Sequence, residues 1–232
     1  MQPLIYIAED EKNIRDLISS FLDDAGYKAV PFENGDLLFA AFKEKEADLV
    51  ILDIMMPGTD GLTICKNIRE ISTVPIIVLT AKESEMDYVM GINMGGDDYL
   101  TKPFRPTILM MRVKSLLRRA QMTSTRESDE IIFGDINYSP ENRTVLVGED
   151  ELRLTSTEFQ VLSYLLKNKD KSISREELLE EIWGYDSEVE TRVTDETIRR
   201  VRKKLDGANS NVYIETQWGF GYKLTVLENK ND

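Results

Sequence analysis

Glu9, Asp10, Asp53, Thr80 and Lys102 are the side chains of this 232-residue chain whose types and spacing could do chemistry together. They directly follow short apolar or mixed runs: Leu4-Ile-Tyr-Ile-Ala8, Leu49-Val-Ile-Leu52, Pro75-Ile-Ile-Val-Leu79 and Asp98-Tyr-Leu-Thr101. Runs of this kind read as strands of a parallel sheet buried on both faces, and in an open sheet ligands gather outside the carboxyl ends of the strands. Taken singly, Glu9, Asp10 or Thr80 could simply cap the helix that comes next. Taken together they put three acids, a hydroxyl and an ammonium at one rim. Two carboxylates about 4 Å apart repel by roughly 4 kcal/mol at an effective dielectric of ~20, so three need a cation. The chain has no histidine, and its one cysteine, Cys65, lies among Leu62, Ile64 and Ile68 as a packing thiol. Ser-His and Cys-His catalysis and nearly every zinc site are thereby excluded. An oxygen-bound Mg2+ is the natural cation for such donors. A carboxylate beside it can attack phosphorus, with the metal, Lys102 and the Thr80 hydroxyl neutralising the phosphoryl oxygens.

The elements that would position these residues alternate regularly. Strands over 4–8, 28–32, 49–52, 75–79 and 98–101 are predicted to interleave with helices over 13–25, 36–42, 62–71, 85–94 and 106–119. Five βα units imply a doubly wound parallel five-stranded sheet with helices on both faces, an α/β domain over residues 1–120. Residues 121–130 are polar and aperiodic, and read as a linker.

Residues 131–232 have another rhythm. Short alternating segments near 131–133, 136–138, 144–147 and 151–154 predict a small antiparallel sheet. Thr155-Ser-Thr-Glu158 and Ser174-Arg-Glu-Glu177 are both capping-box patterns that open helices, and a third helix is predicted over 194–205. Val212 to Leu224 reads as a hairpin around its glycines. With 41% hydrophobic and 31% charged residues, no long apolar run and an N-terminus that turns acidic by Glu9, the chain reads as soluble and cytoplasmic, with no signal peptide and no membrane association.

The first half resembles the receiver domain of two-component response regulators. The motifs are Ala8-Glu-Asp-Glu11, Ile51-Leu-Asp-Ile-Met-Met-Pro-Gly58, Leu79-Thr-Ala81, Gly95-Gly-Asp-Asp-Tyr99 and Thr101-Lys-Pro-Phe104. The resemblance implies that Asp53 is the phosphoacceptor and that Glu9, Asp10, Asp53 and the Met55 carbonyl serve Mg2+. It further implies that Thr80 and Tyr99 form the switch pair, that Lys102 contacts the phosphoryl group, and that the Lys102-Pro103 bond is cis. The donor would be a phosphohistidine on a sensor histidine kinase. Phosphatases of the haloacid-dehalogenase type also use an Asp after a strand, but need a second acid two residues later, where this chain has Met55. No enzymatic activity is expected beyond self-phosphorylation and self-dephosphorylation at Asp53.

The second half resembles the winged-helix effector of the OmpR/PhoB subfamily, through Thr155-Ser-Thr-Glu-Phe159, Ile182-Trp-Gly-Tyr185, Ile198-Arg-Arg-Val-Arg-Lys-Lys-Leu205 and Thr216-Gln-Trp-Gly-Phe-Gly-Tyr222. Several stretches, Pro103-Phe-Arg-Pro106 among them, look most like VanR-type regulators. Double-stranded promoter DNA and RNA polymerase are the implied partners. The chain's net charge of −13 argues against nucleic acid at first sight. Residues 192–204, however, hold six basic against two acidic residues on one helix. That helix follows a helix-turn-helix arrangement and precedes a glycine-rich hairpin, which favours DNA over a merely solvated face. By the resemblance, Glu196, Thr197 and Arg200 face base edges. Trp183, Arg192, Arg199, Arg202, Thr216 and Tyr222 contact phosphates, and Trp218 stands where some members carry a minor-groove Arg. About five phosphate contacts per protomer predict a log–log salt slope near −9 for a dimer.

The family dimerises on activation through the helix over 85–94, the strand over 98–101 and the helix over 106–119. On this homodimer face Asp97, Asp98, Arg112 and Lys114 remain. Tyr88 and Ile108 occupy positions where a basic and an acidic residue commonly pair. An apolar pair loses less to salt than an ion pair, which predicts residual dimer without phosphorylation. The reading from a different class is a DNA-binding regulator whose receiver is a phosphorylation-independent dimerisation module.

Overall fold

The computed structural model describes residues 2–81, 95–121, 130–184 and 191–227, without the side chains of Arg119, Gln121, Thr191 and Arg192. Tyr88, the predicted helix over 85–94 and most of the linker lie outside the described residues. The chain divides into two compact units, Met1–Ala120 and Gln121–Asp232.

In the first unit five parallel strands, β1 (Leu4–Ala8), β2 (Lys28–Phe32), β3 (Leu49–Asp53), β4 (Ile76–Ala81) and β5 (Asp98–Lys102), stand in the order β2-β1-β3-β4-β5. Strand periodicity divides the core between the two faces. Ile5, Ile7, Leu49, Ile51, Ile77, Leu79 and Leu100 pack with Ile18 and Leu22 of helix α1 (Lys12–Asp24) and with Leu109, Val113, Leu116 and Leu117 of α4 (Pro106–Gln121). The alternate residues Tyr6, Val50, Leu52 and Val78 are equally buried on the other face. That face lies on the side of α2 (Gly35–Glu44) and α3 (Gly61–Ile71), where the Tyr6 ring meets Phe42 edge-on. Asn34 and Asp60 cap α2 and α3 by accepting from Leu37 N–H and Thr63 N–H. Neither Glu9 nor Asp10 caps α1. Its N-cap is Glu11, which makes no side-chain cap bond, so both acids stay available at the rim. The α3 start is pressed against the strand that carries Asp53. A Cβ at Gly61 would lie 1.9 Å from the Asp53 carbonyl oxygen, so only glycine allows this approach. The expected cis Lys102-Pro103 bond is present.

The second unit opens with an antiparallel sheet of β6 (Ile131–Phe133), β7 (Ile136–Ser139), β8 (Thr144–Val147) and β9 (Asp150–Glu151). The strand predicted to reach Leu154 stops early. Leu152 keeps one backbone bond to Val145, and the chain then leaves for the N-cap at Thr155. Helices α5 (Ser156–Lys167), α6 (Arg175–Trp183) and α7 (Thr191–Gly207) follow. A second sheet, β10-β12-β11, joins β10 (Ile173–Ser174) to the hairpin of β11 (Val212–Gln217) and β12 (Gly221–Val226). The two-residue β10 is too short to show alternation and was not predicted. Thr155 and Glu158 form a complete capping box. Ser174 makes only half of one: it accepts from Glu177 N–H, while the Glu177 carboxylate accepts instead from the Tyr164 hydroxyl at 2.7 Å. The architecture is a five-stranded α/β unit followed by a winged helix-turn-helix unit, as the sequence predicts.

Candidate functional sites

At the carboxyl end of β3 the Asp53 side chain is almost fully buried. Lys102, at the end of β5, places its Nζ 2.7 Å from Asp53 Oδ2 and 2.9 Å from Glu9 Oε1. Glu9 is buried and Asp10 exposed, and the carboxylates of Glu9, Asp10 and Asp53 bring oxygen atoms within 4.8 Å of one another. The turn that holds the two N-terminal acids is tied down from α1, because the Arg15 guanidinium donates to the carbonyls of Glu9 and Asp10. Burial pushes the Asp53 carboxyl up, and the Lys102 ammonium only partly offsets this. Burial likewise raises Glu9, again against Lys102 and helped by the charge on Asp53. Burial alone would lower Lys102, but its hydrogen bonds to Asp53 and Glu9 outweigh that and keep it charged. One ammonium thus serves two buried acids, which leaves negative charge at the rim.

This donor set suits a hard cation. Three carboxylates converge, and buried Glu9 Oε2 lies 2.7 Å from Lys102 Nζ without a directed hydrogen bond, in want of a further positive partner. Thr80 is buried at the end of β4, its hydroxyl 3.3 Å from the Ala81 carbonyl. Met55 is largely exposed, and its N–H faces Asp53 Oδ1 at 3.4 Å. Tyr99 is buried, its hydroxyl donating to the Gly96 carbonyl at 3.3 Å.

In the second unit the outward face of α7 is narrower than the sequence implied. Val193, Thr194, Thr197, Ile198, Val201 and Leu205 all point inward, and at 3.6 residues per turn Arg200 falls on the same side. Its Nε pairs with buried Glu158 at 3.2 Å, and Lys204 binds the same carboxylate at 2.6 Å. Arg200 and Thr197 therefore do not face base edges here; both are buried. Trp183 and Tyr222, expected at phosphates, are buried as well. Arg192 lies outside the described side chains. Arg199 is exposed and donates to Glu196, with Nε 2.8 Å from each carboxylate oxygen. Arg202 donates to the Ile214 carbonyl and to Thr216 Oγ1, both at 2.8 Å. Two further basic residues stand near these. Lys203, one of the six counted on this helix, is exposed four residues after Arg199, a spacing that marks one face. Arg175 donates to Asp195 at 2.8 Å and stacks over the Tyr222 ring. The Tyr222 hydroxyl donates to the same carboxylate, and Arg202 approaches the same ring.

Known proteins match over nearly the whole chain. Residues 5–114 match the family model of the response regulator receiver domain, and residues 149–224 that of the C-terminal domain of transcriptional regulatory proteins. The transcriptional regulatory protein YclJ of Bacillus subtilis is 41% identical over 223 residues, covering 95% of this chain and 98% of the relative. The regulatory protein VanR of Enterococcus faecium is 40% identical, covering 97% and 99%. The crystal structure of the response regulator DrrB, an OmpR/PhoB homolog of Thermotoga maritima, superposes with a TM-score of 0.52 at 34% identity, covering 97% and 100%. This chain is an OmpR/PhoB response regulator. It is a two-component protein with a receiver and a DNA-binding, transcription-regulating domain.

In this regulator the residues expected on the dimer face fall into two groups. Asp97, Asp98 and Arg112 are not surface charges: all three are buried and engaged within the receiver. Arg112 pairs with Asp98 and donates to the Tyr99 carbonyl at 2.6 Å, and Asp97 takes Arg69 at 2.6 Å and the Ile76 N–H at 3.0 Å. Lys114 and Ile108 are exposed. Met111, one turn from Ile108 and more exposed, extends the apolar patch and was missed.

Proposed function

We propose that Asp53 accepts a phosphoryl group from the phosphohistidine of a sensor histidine kinase, and that this promotes receiver dimerisation and promoter binding. The observation that carries the reading is the buried Asp53 carboxylate held 2.7 Å from Lys102 beside two further acids. Glu9, Asp10, Asp53 and the Met55 carbonyl would hold Mg2+, which supplies positive charge for the phosphoryl oxygens. Asp53 Oδ attacks phosphorus and the imidazole nitrogen leaves. Lys102, already between Asp53 and Glu9, transfers its charge to the incoming phosphoryl oxygens, and the Thr80 hydroxyl turns to meet them. The same groups account for loss of the phosphoryl group to water, and no other catalysis is proposed. Moving a receiver from 1:99 to 99:1 active takes about 5.5 kcal/mol of differential stabilisation, and the gripped phosphoryl group supplies it. Dimerisation uses the exposed patch of Ile108 and Met111 with Lys114. RNA polymerase at the bound promoter is the downstream partner, and the cytoplasm the site of action. Among the described residues no helix is long and apolar enough to cross a membrane.

The test is capture of genomic DNA fragments by protein treated with a small phosphodonor and Mg2+, beside Asp53→Asn. The expected result is a few promoters recovered only with the phosphorylated protein. Equal recovery by both proteins overturns the phosphorylation gate.

A further inference from the structure

The tip of the β11–β12 hairpin carries the most exposed large apolar side chain among the described residues. Trp218 is 95% exposed, and Phe220, two residues on, is 50% exposed. The turn is built to hold them out. The Phe220 N–H donates to the Gln217 carbonyl at 2.9 Å, and Gly219 sits at φ +72, the positive φ this turn needs at its third residue. Gln217 pairs with Gly221 just below, so ladder bonds fix the tip. A tryptophan is usually among the more buried residues, and the chain's other one, Trp183, is 1% exposed.

The surroundings name the occupant. From Thr216 to Tyr222 the hairpin carries no charged residue. The cations stand lower, where Arg202 holds Thr216 and Arg175 and Arg202 flank the Tyr222 ring. The cations at the hairpin's base, Arg175 and Arg202, can hold phosphates, whereas an uncharged aromatic tip cannot. What it offers a duplex is a flat apolar face for bases.

We propose that Trp218 is a base-stacking wedge: its indole enters the groove next to the one occupied by α7, partly unstacks one base step and bends the DNA. The inference rests on the DNA-binding reading above and deepens it. The hairpin then selects its site by deformability, favouring flexible pyrimidine–purine steps, in addition to any hydrogen bonds made by α7.

The test uses the full chain, phosphorylated with a small phosphodonor, and the captured promoter duplex. Acrylamide quenching of tryptophan fluorescence reads Trp218 selectively, because Trp183 is buried. DNA is expected to protect Trp218 from the quencher. Trp218→Ala is expected to lower affinity roughly 5- to 150-fold, the range of one base–aromatic stack, and to reduce the bend seen when the site is permuted along a fragment. Trp218→Arg is expected to recover affinity with a steeper salt dependence and no recovered bend. DNA that binds while Trp218 stays quenchable, or a Trp218→Ala protein that binds and bends as wild type, overturns the wedge and leaves DNA binding intact. Protection that rises with protein concentration without DNA assigns the tip to a second copy and also overturns it. No duplex bound by wild type in either phosphorylation state overturns both readings.

Discussion

The Lys102 ammonium lies 2.7 Å from the Asp53 carboxylate although β5 and β3 are not neighbours: β4 runs between them. Lys102 therefore reaches across the edge of β4, over the strand end that carries Thr80. Removing it leaves two buried acids without their cation. Breaking a buried pair costs about 3–5 kcal/mol, so Lys102→Met is expected to be destabilised at the lower end of that range in urea unfolding without Mg2+. Added Mg2+ is expected to recover more stability in the variant than in wild type.

Burial holds the Asp53 and Glu9 carboxyls above their ordinary range, so the native state takes up protons more readily than the unfolded chain. Their contribution to stability is then present at acid pH and lost as pH rises through the raised values. Mg2+ binding needs the charged forms and runs the other way. Calorimetric titration across this window is expected to give affinity that climbs with pH, with proton release that shrinks toward neutrality.

Arg199 and Arg200 are adjacent, but only Arg199 faces solvent. Arg200→Ala strips Glu158 of a buried partner and is expected to lower the stability of the second unit by about 3 kcal/mol. Arg199→Ala is expected to stay within about 0.5 kcal/mol of wild type. It should instead weaken DNA binding across all sequences and reduce the salt slope by about one. Thermal unfolding and binding at several salt concentrations separate the two.

Asp195 holds Arg175 at 2.8 Å and accepts the Tyr222 hydroxyl, which places an acid beside the cations proposed to meet DNA. Asp195→Asn keeps the shape and removes the charge. Affinity for DNA of unrelated sequence is expected to rise and the salt slope to steepen by up to about one, while Asp206→Asn, at the far end of α7, changes neither.

Ile108 and Met111 form an exposed apolar patch on α4. A glutamate at position 111 should tax an apolar interface and leave the fold alone. Met111→Glu is expected to be phosphorylated normally and to stay monomeric in analytical ultracentrifugation under conditions where the phosphorylated wild type is a dimer.

The sequence by itself determined the order of the described elements, the two-residue β10 apart, and the rim of the first sheet. Buried parallel strands write themselves as apolar runs, and a polar residue at the end of such a run has one place to go. Asp53, Thr80 and Lys102 were legible for that reason, as were the capping box at Thr155 and the hairpin around Gly219. Only the tertiary structure decided which charges were already taken. Arg200 and Arg199 are neighbours of one type in the chain, and the choice between them hangs on Glu158, presented from another helix. Asp98 and Arg112 are charged residues on a family interface, yet here they satisfy each other inside the receiver. Pairing of this kind depends on side chains far apart in sequence reaching one buried point, where an unpaired charge is costly, and no local pattern records it.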